Sequence, residues 1–556
     1  MAQNTNRLRV IPLGGLDGIG KNMTVLEYGD DMVLIDAGIM FPDDDHPGVD
    51  LILPDFSYVV QRERKLRGIL ITHGHEDHTG ALPYLLKALG RQVPVLGTKL
   101  TLGLIRGKLE EHHLKKVVLR EICEGGHVSL GPFGFDFFAV NHSIPDAIGM
   151  FVRTPAGSVL HTGDFKLDQT PIDGRLVDYG ALTKFAKIGV DLLMSDSTNA
   201  ETPGVTRSEA SVGPALRDLI EHAEQRVIAA SFSSHIHRVQ QICDAAVGAG
   251  RKVVVTGRSM ITNTKIAREL GYLVIDEDDL IDAHDASHLP PEKVVVMCTG
   301  SQGEPLSALA RMANGDHKTI RVERGDTVVI AATPVPGNER AVTRVINRLS
   351  KAGATVAHRG TMHVHVSGHA AAEELKLMLN LVQPTFFMPI HGETRHLVAH
   401  ARLAEEVGVP PENVFILDNG DCLELGDDGA HLGESVEHGV VYVDGLGVGD
   451  VGQVVLRDRQ LLAQDGIATI VVVIDAQTGR LVHDPELITR GLAFGPEGDS
   501  LVAEAQARAA KTLAKTFKEG ATDQAVIRKA VRESLSQLFW ERTRSRPMII
   551  PVIMEV

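Results

Sequence analysis

Three histidines and an aspartate stand within six residues in His73-Gly74-His75-Glu76-Asp77-His78. Imidazole and carboxylate side chains are good ligands for zinc or a similar divalent ion. An apolar run, Gly68-Ile69-Leu70-Ile71, leads into them, and a helical pattern, Ala81-Leu82-Pro83-Tyr84-Leu85-Leu86, follows. The pattern reads as a strand delivering a tight loop into the start of a helix. His73 and His75, two apart at a strand end, can point to one side. Asp77 and His78 lie on the next bend and can reach a second ion. Two ions held ~3.5–4 Å apart suit the hydrolysis of phosphodiester or acyl bonds. The plain alternative is a histidine-rich surface loop, but packing gives no reason for four such side chains in this order.

One loop cannot complete the coordination of two ions, so further ligands must come from elsewhere. Val140-Asn141-His142-Ser143-Ile144-Pro145-Asp146 places His142 just past a strand, ready to complete the first histidine set. His161-Thr162-Gly163-Asp164-Phe165 places Asp164 past another strand end, with Gly163 allowing close backbone approach. A carboxylate has two oxygens and can bridge two cations, the role expected of Asp164. Phe387-Met388-Pro389-Ile390-His391-Gly392-Glu393 supplies His391, again at a strand end. Singly, each of these reads as well as a capping or core residue; their joint occurrence behind the Asp77-His78 loop makes the case for ligation. His112, His113, His127, His222 and His431 have no such support and read as surface residues.

The elements that must position these side chains are also legible. Arg9 to Gly15, Met32 to Gly38 (a buried strand ending in an aspartate), Phe135 to Val140, Ser158 to His161 and Asp191 to Met194 read as strands, with helices such as Lys99 to Glu111 between them. Strands in this density with intervening helices predict an α/β sandwich. From about Ser208 the rhythm becomes a regular strand–helix alternation, with strands at Arg226 to Ala230, Lys252 to Val255, Val294 to Met297 and Thr327 to Ile330. Strands buried on both faces and joined by crossover helices make a parallel, doubly wound sheet. Because metal-site residues reappear at His391, this sheet reads as an insertion. A third change comes near Asp458, where a strand from Ala468 to Ile474, helices from Ala503 to Phe517 and Gln524 to Phe539, and a closing run Pro547 to Ile553 make a small α/β tail with Trp540. The expected boundaries are 1–207 and 366–457 for the sandwich, 208–365 for the insert and 458–556 for the tail.

At 556 residues the chain is too long for one core. A hydrophobic content of 43% with 23% charged residues describes an ordinary globular composition. The balance of 56 basic against 72 acidic residues gives −16. That argues against nonspecific coating of nucleic acid but not against a nuclease with ions and arginines in a cleft. Cys123, Cys243, Cys298 and Cys422 form no CxxC pair, so neither a disulfide framework nor a thiolate zinc site is indicated. Met1 to Arg7 has no apolar segment behind it, and no run reaches the ~18–20 residues of a membrane span. The expectation is a cytoplasmic protein with no membrane association.

The order His-x-His-x-Asp-His resembles the signature of the metallo-β-lactamase superfamily, which alone leaves lactamases, thioesterases, glyoxalases and nucleases open. In its placement the insert resembles that of the β-CASP nucleases. Within them the chain is similar to the bacterial ribonuclease J family, on Leu13-Gly14-Gly15-Leu16-Asp17-Gly18-Ile19-Gly20-Lys21-Asn22, Ser195-Asp196-Ser197-Thr198-Asn199, Cys298-Thr299-Gly300-Ser301-Gln302-Gly303-Glu304-Pro305, Ser367-Gly368-His369 and the closing Arg546 to Val556. The similarity runs along nearly the whole chain. It implies a metallo-β-lactamase αββα sandwich with an inserted doubly wound β-CASP domain and a small C-terminal α/β domain.

The resemblance also implies two zinc ions, for which manganese is an alternative, with His73, His75 and His142 on one, Asp77, His78 and His391 on the other, and Asp164 bridging. Asp196 and His369 match acidic and histidine motifs of the family; the roles expected are orientation by Asp196 and proton donation to the leaving oxygen by His369. The family starts at RNA 5′ ends bearing a monophosphate and also cuts internally, in RNA maturation and decay. Ser234, His235 and Ile236, with His365, Val366, Ser367, Gly368 and His369, are the expected phosphate site. Two helix N-termini are expected to offer hydroxyls and N–H groups there, against plain N-capping for the serines. A structural calcium ion is implied at Gly48, Asp50 and Asp444, where each carboxylate also reads as a turn residue. Implied partners are single-stranded RNA, a second copy or more in a homodimer or homotetramer, and other RNA-decay proteins. Two other readings stay open: a small-substrate hydrolase with the insert as lid, and a catalytically silent RNA-binding scaffold.

Overall fold

The computed structural model describes residues 7–43, 45–335, 337–475, 480–492, 498–519 and 523–556. The N-terminal stretch Met1 to Asn6, expected to carry no leader, lies outside them. The chain forms two compact units, Met1–Phe41 with Ile52–Val441, and Pro42–Leu51 with Tyr442–Val556.

In the first unit the strands expected from apolar runs assemble into two mixed sheets. One runs in space Gly429–Leu432, Leu423–Gly426, Leu8–Gly14, Met23–Tyr28, Asp31–Ile35, Leu66–Leu70, Val95–Gly97 and Leu119–Glu121. The other runs Phe386–Ile390, Leu192–Asp196, Gly157–His161, Ile148–Thr154, Phe133–Ala139 and His127–Leu130. Their inner faces share one core, in which Val10, Val33, Ile35 and Leu70 meet Phe135, Phe137, Met150, Val159 and Met194. Alternate residues point outward, as a pleated strand requires. Ile69 and Ile71 pack with Leu82, Leu85 and Ile105 of the helices Leu82–Ala88 and Lys99–Glu111. On the far side, Phe151, Leu160 and Leu193 pack with Phe185, Leu375 and Leu379 of Tyr179–Ile188 and Ala372–Val382. Strands buried on both faces explain the near-continuous apolar runs. The result is the expected αββα sandwich.

The insert occupies the crossover between two neighbouring strands. Leu192–Asp196 pairs in parallel with Phe386–Ile390, Asp196 lying opposite Ile390. The chain therefore leaves the sandwich at Asp196 and returns beside it. Between the two, strands ordered Leu280–Ile281, Lys252–Thr256, Val294–Cys298, Val227–Ala230, Thr327–Ile330 and Thr355–His358 form an all-parallel sheet. Helices Gly213–His222, Ile236–Gly248 and Arg258–Leu270 cover one face, and Ala308–Asn314 and Glu339–Lys351 the other. This is a doubly wound sheet.

The second unit holds the strands Glu486–Arg490, Ile467–Ile474 and Met548–Glu555, backed by Gly498–Lys518 and Gln524–Thr543 over one core. Among the described residues no helix is long and apolar enough to cross a membrane.

Candidate metal centre

Each expected ligand hangs from a strand end at one edge of the sandwich. His73 follows Leu66–Leu70 and is fully buried. His75 caps a single helical turn, Glu76–Thr79, which carries Asp77 and His78. The expected bend is thus helical, and the helix expected from Ala81 follows it as Leu82–Ala88. That turn nests against Gly38, where a Cβ would fall 1.5 Å from the Asp77 carbonyl oxygen. His142 follows Phe133–Ala139, Asp164 follows Gly157–His161 and His391 follows Phe386–Ile390. His391 and Asp36 hold left-handed backbone, φ 54° and 61°. Such strain costs ~1–3 kcal/mol per residue and persists only where the surroundings impose it.

The ligand atoms fall into groups. His75 Nδ1 lies 3.1 Å from both His73 Nε2 and His142 Nε2. His142 Nδ1 is 2.8 Å from the Gly368 carbonyl, which can only accept. The His142 proton therefore sits on Nδ1, and Nε2 turns a lone pair toward the other two rings. Burial holds all three imidazoles neutral: His73 and His142 are pushed well below the usual histidine range and His75 down to about 4. Neutral imidazole is the ligating form.

Asp77, His78, Asp164 and His391 form the second group. Asp164 Oδ2 is 3.2 Å from His78 Nε2, 3.7 Å from His73 Nε2 and 3.8 Å from His142 Nε2, so one carboxylate faces both groups. His391 Nδ1 is 2.7 Å from Asp164 Oδ1, yet the contact lacks hydrogen-bond geometry. Burial opposes ionisation of Asp77 and Asp164, but His78 and His391 outweigh it and hold both carboxyls below the ordinary range. Conversely, burial opposes protonation of His78 and His391, and Asp164 overcomes it: His78 is raised well above its usual value and His391 to about 10. Protons here stand where positive ions belong. The donor set fits divalent cations, whose binding would displace those protons.

A third group joins Asp164 and His391 to Asp196 and His369. His369 Nδ1 lies 2.7 Å from Asp196 Oδ2, and its ring centroid is 4.8 Å from that of His142. Burial opposes the His369 charge while Asp196 and Asp164 raise its pKa.

The two expected phosphate-site segments come together, with the His235 and His365 ring centroids 6.5 Å apart. The helix Ile236–Gly248 starts directly after Ser234 and His235, as expected. The other helix starts at Ala372, and Glu374 occupies its N-terminus, accepting from the N–H groups of Ala371 and Thr206. Ser367 therefore lies in the returning loop, where its hydroxyl accepts from Asn199 Nδ2 and the His369 N–H. One helix terminus and one loop face each other, not two helix termini.

At the expected calcium position, Arg459 donates to the Gly48 carbonyl and the Asp444 carboxylate, and Asp50 accepts from the Gly445 N–H. A Cβ on Gly48, at φ 73°, would lie 2.9 Å from Arg459 Nη1. The guanidinium fills this cradle.

Sequence reasoning assigned no role to Asp36 or Asn22. Asp36 Oδ2 lies 2.8 Å from His78 Nδ1 and also accepts from Thr72, which leaves His78 Nε2 directed inward. Asn22 Nδ2 donates to the Asp77 carbonyl, 3.1 Å away. An aspartate terminating an apolar strand was the available signal for the first. Asp36→Asn is expected to weaken divalent-metal retention by about 10- to 100-fold, read by metal analysis after dialysis; full retention would deny Asp36 this part.

Comparison with known proteins agrees along the chain. A beta-lactamase superfamily domain matches residues 32–198, the ribonuclease J beta-CASP domain 224–349, a Zn-dependent metallo-hydrolase RNA specificity domain 354–417 and the ribonuclease J C-terminal domain 454–556. Ribonuclease J2 of Bacillus subtilis is 42% identical over 555 residues, covering 100% of both chains. Ribonuclease J of Mycolicibacterium smegmatis is 46% identical over 549 residues, 99% of this chain and 97% of that one. Ribonuclease J of Thermus thermophilus is 43% identical over 558 residues, 99% and 96%. A crystal structure of an Enterococcus faecalis protein of unknown function shares the fold at a TM-score of 0.54 and 15% identity, covering 75% of this chain and 100% of its own. Identity of this order along the whole length, beyond the sandwich alone, means that the chain belongs to the ribonuclease J family and is a metal-dependent ribonuclease.

Proposed function

We propose that this ribonuclease degrades single-stranded RNA from 5′-monophosphorylated ends, stepwise in the 5′ to 3′ direction, and also cuts internally, in RNA maturation and decay in the cytoplasm. One observation carries the reading. The Gly368 carbonyl is tied to His142, so the loop His365 to His369 and the histidine group stand at one fixed separation. A phosphate gripped beside His235 and His365 would set the scissile bond by that distance.

His73, His75 and His142 would hold one ion, Asp77, His78 and His391 a second, with Asp164 between them; zinc is our assignment, and manganese suits the same ligands. Cations there supply Lewis acidity and lower the pKa of water toward neutrality. Asp196 orients His369 and keeps it protonated, and His369 donates that proton to the departing oxygen. The His369 ring centroid lies 4.8 Å from that of His142 and 5.5 Å from that of His391, a proximity that supports this role.

We further propose that the tail sheet joins copies of the chain into a homodimer or homotetramer. Its face away from the helices is apolar: Ile550, Val552 and Met554 are exposed, beside Val471, Val473 and Ile488. In the calcium cradle we assign the ion's role to Arg459.

The reading is tested by digesting one RNA sequence carrying a 5′ monophosphate, triphosphate or hydroxyl and resolving the products. Mononucleotides released fastest from the monophosphate are expected; equal rates for all ends would refute it. The sign of the pH dependence follows from His369, whose raised pKa makes the acid available below that value and lost above it. Asp196→Asn removes the charge that raises it, so the alkaline limb of kcat should move to lower pH and kcat near neutrality should fall by about 100-fold. A limb that stays in place assigns the proton elsewhere. Val552→Glu should lower the solution mass toward that of a monomer in light scattering, and an unchanged mass would remove the sheet face from the contact. Added calcium should leave the melting temperature of the parent unchanged, whereas Arg459→Met should lower it by about 2–4 °C; a calcium-dependent rise in the parent would restore the ion.

A further inference from the structure

Where the chain crosses into the insert it carries a buried ion pair outside the metal centre. Glu209 opens the short turn Glu209–Val212, and Arg238 lies on Ile236–Gly248. Arg238 Nε donates to Glu209 Oε1 at 2.6 Å and Nη2 to Oε2 at 2.9 Å, a bidentate pair with no solvent exposure of the arginine. Nη1 donates to the carbonyls of Ala331 and Val364. One guanidinium thus joins the outgoing crossing, the end of the parallel sheet and the returning segment next to His365.

A strut would need no more than this. Yet His235 is set against it, 1% exposed, with Nε2 3.4 Å from Glu209 Oε1 and neither ring nitrogen in a hydrogen bond among the described residues. His365, nearby, has an unpartnered buried Nδ1 as well. Unsatisfied buried polar atoms are costly, and a bound ligand is one way in which the missing partner is supplied.

We infer that Glu209 is a positioning residue for recognition of the RNA 5′ end: its carboxylate, 3.4 Å from Nε2 of His235, favours the ring orientation that leaves Nδ1 for the terminal phosphate. The inference rests on the 5′-monophosphate reading. With Nε2 facing a carboxylate, Nδ1 is the nitrogen left for the ligand. Burial pushes His235 down to about 4 against the pull of Glu209, and Arg238 opposes the charge further. A phosphate monoester has its second ionisation near pH ~6, so it brings to Nδ1 either a shared proton or the second negative charge that stabilises an imidazolium. A 5′ hydroxyl brings neither. Arg238 cancels the charge of Glu209 behind the ring, so the carboxylate orients the imidazole without repelling the incoming anion.

The test uses the full chain loaded with metal and two RNAs of one sequence, with 5′ monophosphate or 5′ hydroxyl. Glu209→Gln should lower the ratio of kcat/KM for the monophosphate over the hydroxyl by tenfold or more, mainly through KM. An equal fall on both substrates would mark Glu209 as purely structural, and an unchanged ratio would give it no part; either overturns the inference. Should that variant fail to fold, Glu209→Asp keeps the charge for Arg238 but draws it back from His235, and the same fall is expected, an unchanged ratio again overturning it. His235→Gln separates the two levels. If it loses the preference while Glu209→Gln keeps it, only the positioning role fails. If His235→Gln keeps the preference, the phosphate site itself is elsewhere.

Discussion

Buried acceptors that converge on a common point cannot stay together without positive charge among them. His73, His75 and His142 turn ring nitrogens toward each other, and Asp77 and Asp164 face the same space. Removed from water, such a set would repel or compete for protons. The neighbouring carboxylates accordingly raise the pKa of His78 and His391. Much of the surrounding architecture serves to hold that arrangement. Asp36 adopts a left-handed backbone beside His78, and Gly38 leaves room for the Asp77 turn that no side chain could share. Strain of this kind survives because the sheets on either side impose it.

The same constraint explains how a long insertion can interrupt the sandwich without disturbing the centre. Asp196 ends one strand and His391 follows its parallel neighbour, and the connection between these strands contains the insert. Parallel neighbours need a crossover in any case, and its length costs little once its ends are fixed, because closure entropy grows only slowly with loop length. What the crossover contributes is position: its returning segment delivers Gly368 to His142 and His369 to Asp196.

Much of this was legible in the residue order, and the failures have physical causes. Strands buried on both faces, such as Val294–Cys298 and Thr327–Ile330, announce themselves by unbroken apolar runs. Met23–Tyr28 and Ile148–Thr154 were not identified, because a glutamate in the first and a Gly-Met-Phe start in the second blur the pattern. The glutamate is buried by pairing with Lys65, Tyr58 and Arg9, partners that local sequence does not reveal. The side chains that gather at the candidate centre were readable because a cation demands particular residue types, here set at strand ends. At the N-terminus of Ala372–Val382 the N–H groups are not free for a ligand, because Glu374 caps it and also satisfies Leu167 and Thr206 from distant segments that local sequence does not reveal. The contact of Arg459 with Gly48 and Asp444 was hidden for the same reason, since the arginine comes from a helix remote in sequence from Gly48.

Selectivity for one kind of RNA end then becomes a matter of rigid distance. A nuclease that measures from a terminal phosphate must prevent the phosphate site and the centre of cleavage from moving independently. Here one backbone carbonyl, at Gly368, would link them: it contacts His142 Nδ1 and belongs to the loop proposed to grip the phosphate. A Cβ at Gly368 would lie 2.8 Å from the His142 ring, so the contact admits no larger residue without a shift of that ligand. Any displacement of the loop therefore reaches the metal ligands directly, and an RNA end that fails to seat its phosphate would leave both unaligned. The discrimination between ends and the chemistry at the scissile bond would then be two readings of one mechanical link.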